Sequence, residues 1–232
     1  MFEIKGLEKF APVDFPGFIS STVFLGGCNF RCPYCHNADL VVRPEALATI
    51  PLDYFVTYLD SRKGWLEGIC VSGGEPLIDD DLEILLRVIK ERSLLVKLDT
   101  NGSRPEMLED LIGARLVDHV AMDVKAPLSR YKHVTRADVS EDDIVRSIEV
   151  IRSSRLPYLF RTTVVPGLVG EKDLLEIAQM LHGASLFQIQ AFSGKNPIDR
   201  SMLEVKPFPP EEISRMAERV RPYFGEIRVE GM

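Results

Sequence analysis

The chain has 232 residues, a formal charge of −7 and 45% hydrophobic side chains. That length suits one domain, 1–232, with a substantial core, and the acidic balance lacks the basic footprint of a nucleic-acid partner. The opening Met1-Phe2-Glu3-Ile4-Lys5 is no signal peptide and no apolar run reaches the ~18 residues of a membrane span, so a cytoplasmic protein is expected.

Residues 1–18, broken by Pro12, Pro16 and Gly17, predict irregular structure or a short hairpin. Ser21–Leu25 reads as a buried strand, followed directly by a cysteine-rich loop over 27–37. A helix is expected over 52–62, a strand over 68–72 and a helix over 79–92, whose acidic start suits the helix dipole. Further strands are expected over 94–99, 117–124, 158–165 and 186–192, with helices over 105–112, 141–152, 171–181 and 210–223. A last strand over 227–229 closes the pattern, and 193–206 carries no assignable one. Short strands alternating with helices imply a parallel sheet. About six such units are too few for a full eightfold barrel, so the expected fold is α/β: a partial (β/α)6 barrel, open on one side.

Functional groups in such folds gather where the strands end. Four sets of polar or thiol residues fall there: Cys28, Cys32 and Cys35; Gly73-Gly74-Glu75; Asp99-Thr100-Asn101-Gly102; and Asp123-Val124-Lys125. The cysteines are spaced C-x3-C-x2-C, with Cys70 apart from them, a metal pattern more than a disulfide framework. Three thiolates on one loop can hold three irons of a [4Fe–4S] cube and leave the fourth iron open, since cluster irons are normally held by cysteine. Glu75 can pair with a ligand ammonium, and two glycines before it suit close backbone approach to a ligand.

The cysteine loop together with Gly73-Gly74-Glu75-Pro76 resembles the radical S-adenosylmethionine (SAM) enzymes. Cys35-His36-Asn37, Asp99-Thr100-Asn101-Gly102 and Met122-Asp123-Val124-Lys125 resemble activating enzymes of glycyl radical proteins. Lys125-Ala126-Pro127 through Tyr131 and Phe160–Gly167 look like the branch that activates anaerobic ribonucleoside-triphosphate reductase. The resemblance implies a [4Fe–4S] cluster on Cys28, Cys32 and Cys35, and SAM chelating the open iron through its methionine amine and carboxylate. Electron transfer from the cluster would cleave SAM to a 5′-deoxyadenosyl radical, which would take hydrogen from a glycine of a partner glycyl radical enzyme. It implies SAM contacts from Gly73, Gly74, Glu75, Asp123 and Lys125, with Tyr34, His36 and Asn37 near the adenine. It also implies a monovalent cation near Asp99, Thr100 and Asp123, and a flavodoxin- or ferredoxin-like electron donor. Asn101, Arg161 and Gln190 join the candidate cofactor contacts, Gln190 where lyase activators carry a histidine. No side-chain acid, base or nucleophile is needed.

Blander readings stand beside these. The cysteine loop can be a zinc site with His36 as fourth ligand. A ferredoxin-like electron carrier would need Cys70, which sits in an apolar strand and reads as core. Glu75 can cap the following helix, Asp99 and Asp123 can pair with Lys97 and Lys125, and Arg161 can serve a structural ion pair. Trp65 reads as a packing residue at a helix end. A radical SAM enzyme acting on a small molecule or another peptide is the alternative within the chemistry, and a non-catalytic iron–sulfur or metal-binding protein the alternative outside it.

Overall fold

The computed structural model describes residues 2–231. One sheet of eight strands runs in chain order: β1 (Ile4–Glu8), β2 (Ser20–Leu25), β3 (Gly68–Gly73), β4 (Leu95–Thr100), β5 (His119–Asp123), β6 (Tyr158–Val164), β7 (Ala184–Ala191) and β8 (Phe224–Glu230). β1 pairs antiparallel with β2, so residues 1–18 supply one strand and an irregular segment, not a hairpin of their own, and β2 through β8 are parallel. Among the described residues β1 and β8 do not pair, so the barrel stays open. This is the expected partial barrel, with the closing strand longer than the sequence pattern indicated.

The helices are α1 (Ala38–Val42), α2 (Leu52–Ser61), α3 (Leu82–Lys90), α4 (Pro105–Gly113), α5 (Tyr131–Thr135), α6 (Glu141–Ser153), α7 (Glu171–Met180) and α8 (Pro210–Val220). Their apolar faces repeat at helical spacing: α3 buries Leu82, Leu85, Leu86 and Ile89, and α8 buries Ile213, Met216, Ala217 and Val220. Ser140 caps α6 by accepting from the Asp143 N–H, and acids fill its first turn, where the helix dipole favours them. The short α1 and α5 escaped the sequence reading, because five residues carry too little periodicity to register.

The segment before β2 closes the lower end of the barrel. Phe15 is buried there, 4.7 Å from the ring of Phe18 and edge-on to His119 at 5.7 Å. A Cβ at Gly68, the first residue of β3, would stand 2.9 Å from the Phe15 ring, so glycine makes room for this plug. Trp65, expected to pack, is instead 77% exposed. With the lower end plugged, the usable mouth is the rim where the parallel strands end.

β8 is held by β7 on one edge and by the stacking of Phe224 on Phe187, with ring centroids 4.4 Å apart. Phe187 is fully buried. Phe187→Ala should cost about 3–5 kcal/mol, the usual range for truncating a buried aromatic. Urea denaturation would give that loss, and hydrogen exchange should place it first on β8; uniform loss of protection would mean that β8 is not separately anchored.

Candidate functional site

The three cysteines and the ends of β3, β4 and β5 open onto one cavity of about 780 Å³. Cys28, Cys32, Tyr34, Cys35, His36, Asn37, Gly73, Gly74, Glu75, Asp99, Thr100, Asn101, Asp123, Lys125, Arg161 and Gln190 all line it. Every site residue expected from the sequence therefore reaches the same space. What each does there differs in several cases from the expectation.

The two glycines form a backbone junction. Gly74 N–H donates to the Leu25 carbonyl at 2.9 Å, and Glu75 N–H donates to the Gly27 carbonyl at 2.8 Å. Gly73 has φ +130°, and a Cβ on it would lie 2.3 Å from the Leu25 oxygen. A Cβ on Gly74 would lie 1.7 Å from the Gly27 oxygen. The close approach that excludes a side chain is thus between the end of β3 and the end of β2 for Gly73, and between it and the cysteine loop for Gly74. Asn37 adds a third tie by donating to the Gly73 carbonyl at 3.3 Å.

Glu75 is 1% exposed. Its carboxylate accepts from the Leu77 N–H at 3.1 Å, the Thr100 hydroxyl at 2.8 Å and the Asn101 N–H at 2.6 Å. It does act as a local cap, yet among the described residues no cation is bonded to it. An ionised carboxylate buried without a counter-charge is costly. An ammonium group in the cavity would supply that charge.

Asp99, Asp123, Lys97, Lys125 and Arg161 form a chain of ion pairs across β4, β5 and β6. Lys97 pairs with Asp99, and Lys125 Nζ is 3.0 Å from Asp123. Arg161 joins the two carboxylates, with Nη1 3.1 Å from Asp99 and Nε 2.8 Å from Asp123. Burial would raise both aspartate pKa values, but the Arg161 charge, with Lys97 and Lys125, holds them below the usual carboxylate range. The geometry does not support the expected monovalent-cation site. Arg161 occupies the space between the two carboxylates, and Thr100 Oγ1 is spent, donating to Glu75 and accepting from Gly102 N–H at 3.0 Å.

Burial pushes the thiol pKa of Cys28 to about 11 and that of Cys32 to about 12. Metal binding would deprotonate them outright. Among the described residues no three His, Cys, Asp or Glu side chains converge on one ion position. A structural zinc site needs four such donors around one ion, whereas a cube takes one thiolate per iron. Cys70 is fully buried, with its sulfur 3.6 Å from both Asp99 Oδ1 and Lys97 Nζ, and does not line the cavity. The Tyr34 hydroxyl is buried without a hydrogen-bond partner, although Tyr34 lines the cavity. An orphaned hydroxyl is satisfied by a polar ligand group. The residues present therefore fit a cluster with an organic cofactor beside it.

His36 stands at the mouth, its imidazole held below its ordinary pKa by desolvation and by Lys125. Gln190 accepts from the Thr163 hydroxyl at 3.4 Å and faces the cavity from β7.

One part of the site was weighed in the sequence only as a plain ion pair, and another was missed. Lys97 is 2% exposed and anchors the ion-pair chain. Its signal was a lone lysine two residues before Asp99 in an apolar strand, hence on the same face. The other part is the segment without a pattern: Ile198 N–H donates to the Cys35 carbonyl at 3.2 Å and Asp199 N–H to the Pro33 carbonyl at 3.0 Å. Asp199 also pairs with Arg136 at 2.7 Å. This strap fastens the cysteine loop from outside through backbone groups, which leave no mark in side-chain pattern.

The comparisons with known proteins agree with this geometry. The sequence profile described as the radical SAM superfamily matches residues 22–181. A Methanocaldococcus jannaschii protein with a provisional assignment as a glycyl-radical enzyme activating enzyme is 32% identical over 97% of this chain and 94% of its own length. The pyruvate formate-lyase-activating enzyme of Streptococcus mutans is 30% identical over 82% of this chain and 74% of its own. Streptococcus suis SuiB, solved with its precursor peptide SuiA, superposes with TM-score 0.68 at 15% identity over 88% of this chain, which spans 47% of SuiB. Escherichia coli coproporphyrinogen III oxidase, HemN, gives 0.60 at 13% identity, covering 94% of this chain and 56% of its own. These last two speak for the fold alone.

Two outcomes follow from the geometry. Gly74→Ala should push Gly27 and Cys28 out of register and reduce iron uptake on anaerobic reconstitution; normal iron content would mean that the junction can yield.

Burial of Glu75 raises its pKa from 4.5 to about 7, against the hydrogen bonds from Asn101, Thr100 and Leu77. Below pH 4.5 the group is neutral in both states, and between 4.5 and about 7 only the unfolded chain ionises. Glu75 should therefore contribute a fall in the stability of the ligand-free protein as pH rises through that window, while His119, pushed by burial from 6.5 to about 4, contributes a rise over nearly the same range. Thermal melts of wild type and Glu75→Gln should diverge through that window, the variant gaining on wild type as pH rises; a pH-independent difference between the two would contradict the Glu75 assignment. The depressed Asp99 and Asp123 act in the opposite sense, at pH below 3.8.

By profile match and by homology, this chain is an enzyme of the radical SAM superfamily, related to the glycyl-radical enzyme activating enzymes.

Proposed function

We propose that this enzyme activates a glycyl radical enzyme, with a [4Fe–4S] cluster on Cys28, Cys32 and Cys35 and SAM in the cavity beside it. The observation that carries the reading is the pairing of three thiols with a buried, cation-free carboxylate, Glu75, on one cavity wall. The bound cluster and SAM would supply the chemistry: one electron cleaves the sulfonium, and the resulting radical takes hydrogen from a glycine Cα.

This chain's residues bind, orient and exclude water. Glu75 would hold the methionine amine, and Lys125, already pinned by Asp123 at 3.0 Å, would offer a further N–H to the methionine carboxylate. Three cations, Lys97, Arg161 and Lys125, stand against two aspartates, leaving an excess positive charge for that carboxylate. Tyr34, His36 and Asn37 line the adenine side, and Gln190 offers its amide to a ribose. The unpaired edges of β1 and β8 leave the side where a protein loop would enter, which suits a glycine within a polypeptide.

The partner we favour is an anaerobic ribonucleotide reductase, on the resemblance of Lys125–Tyr131 and Phe160–Gly167 to its activators. A flavodoxin- or ferredoxin-like protein would supply the electron. Reconstitution should give about four irons per chain. Cys28→Ala, Cys32→Ala or Cys35→Ala should abolish the cluster, and Cys70→Ala should spare it. Lys125→Ala should weaken SAM binding without loss of iron.

Incubation of reduced enzyme with SAM and the reductase should yield a glycyl radical by electron paramagnetic resonance. Cleavage of SAM without a radical there, but with one on a formate-lyase-type partner, would correct the partner. Turnover of a small molecule with no glycyl radical on either would overturn the activase reading.

A further inference from the structure

Asn101 turns its main chain to Glu75 and its side chain to the cysteine loop. Its N–H donates to Glu75 at 2.6 Å. Its Oδ1 accepts from the Ser103 N–H at 2.9 Å. That bond fixes which way the amide faces, so Nδ2 points at the cysteine loop. There it donates to Asn29 Oδ1 at 2.9 Å and lies 3.9 Å from the Cys28 sulfur. Asn29 in turn donates to the Ser103 hydroxyl at 2.7 Å, closing the network. Asn101 is 5% exposed, so water competes little for the amide.

The environment of the three sulfurs is unequal. Cys28 receives this amide and also the Phe30 N–H at 3.3 Å. Among the described residues no hydrogen bond reaches the sulfur of Cys32 or Cys35. Hydrogen bonds to ligand sulfurs are one of the levers that set a cluster's potential. A donor dipole aimed at a sulfur favours the state with more negative charge, the reduced one, and it acts more strongly in a dry interior than in water.

We propose that Asn101 is a positioning residue for the cluster, its side-chain amide fixing the Cys28 arm and raising the reduction potential. This rests on the reading that Cys28, Cys32 and Cys35 hold a [4Fe–4S] cluster. The redox step is a one-electron uptake by the oxidised cluster from an external reductant, with no bond made or broken in the protein. Asn29 and Ser103 hold the amide in place and tie the loop after β4 to the cysteine loop.

The test is a redox titration of reconstituted protein without SAM, with dithionite as reductant and the reduced cluster read by electron paramagnetic resonance. Iron content is measured first. Asn101→Asp keeps the acceptor for Ser103 N–H but replaces the donor with a negative oxygen. At the wild-type midpoint its reduced-to-oxidised ratio should fall about tenfold, which is ~59 mV for a one-electron couple. Asn101→Ala removes the donor without adding charge and should fall in the same direction by less. Wild-type potential in an iron-loaded variant overturns the proposal. Should Asn101→Asp fail to load iron, Asn101→Ala decides; failure of both to load makes the residue a structural one and overturns the tuning role. Failure of the wild-type protein to load iron would instead overturn the cluster reading itself, so the two failures are distinct.

Discussion

Two backbone hydrogen bonds join the end of β3 to the end of β2 and to the cysteine loop that follows it, and the rest of the site depends on them. Gly74 N–H to Leu25 and Glu75 N–H to Gly27 bring the two segments so close that neither glycine can carry a Cβ. The junction sets Cys28 beside Glu75, and Glu75 in turn collects Thr100 and Asn101 from the end of β4. Asn101 reaches back to the cysteine loop through Asn29. A loop with few regular hydrogen bonds is thereby held at its start by β3, at its end by Asn37 and from outside by the strap at Ile198 and Asp199. Three irons need three thiolates at fixed separations, and a free loop would not keep them there.

The second constraint is electrostatic. A barrel of this width would be most stable with an apolar interior, since burying an ion pair often gains nothing over well-packed hydrophobic side chains. Here Lys97, Asp99, Arg161, Asp123 and Lys125 fill the interior below the rim. Two aspartates face three cations, while the unpaired carboxylate of Glu75 stands apart from them. A zwitterionic ligand with ammonium at one end and carboxylate at the other meets both needs. Such a ligand would offset charges whose burial otherwise gains little stability.

Much of this was legible in the sequence. The C-x3-C-x2-C spacing and the polar residues after successive apolar strands each mark a strand end, and the alternation of strand and helix fixes the parallel order. All sixteen expected site residues line the one cavity. What escaped depends on contacts far apart in the chain. Arg161 was an isolated cation on its strand, and only the pairing of β5 with β6 puts Asp123 opposite it, displacing the idea of a bound cation. Gly73 and Gly74 were read as room for a ligand, whereas their neighbour is the carbonyl of Leu25 or Gly27. The strap uses main-chain donors, which any residue supplies. Trp65 shows the converse: an aromatic at a helix end need not find a partner.

The central claim is that the cysteine loop leaves one iron free for the ligand whose ammonium Glu75 awaits. Mössbauer spectroscopy of protein reconstituted with enriched iron tests it most directly, with spectra recorded before and after addition of SAM. The account expects one iron to change its isomer shift on addition while the thiolate-held irons keep theirs. Equivalent irons that ignore SAM would mean that the fourth position is closed by protein, and would contradict it.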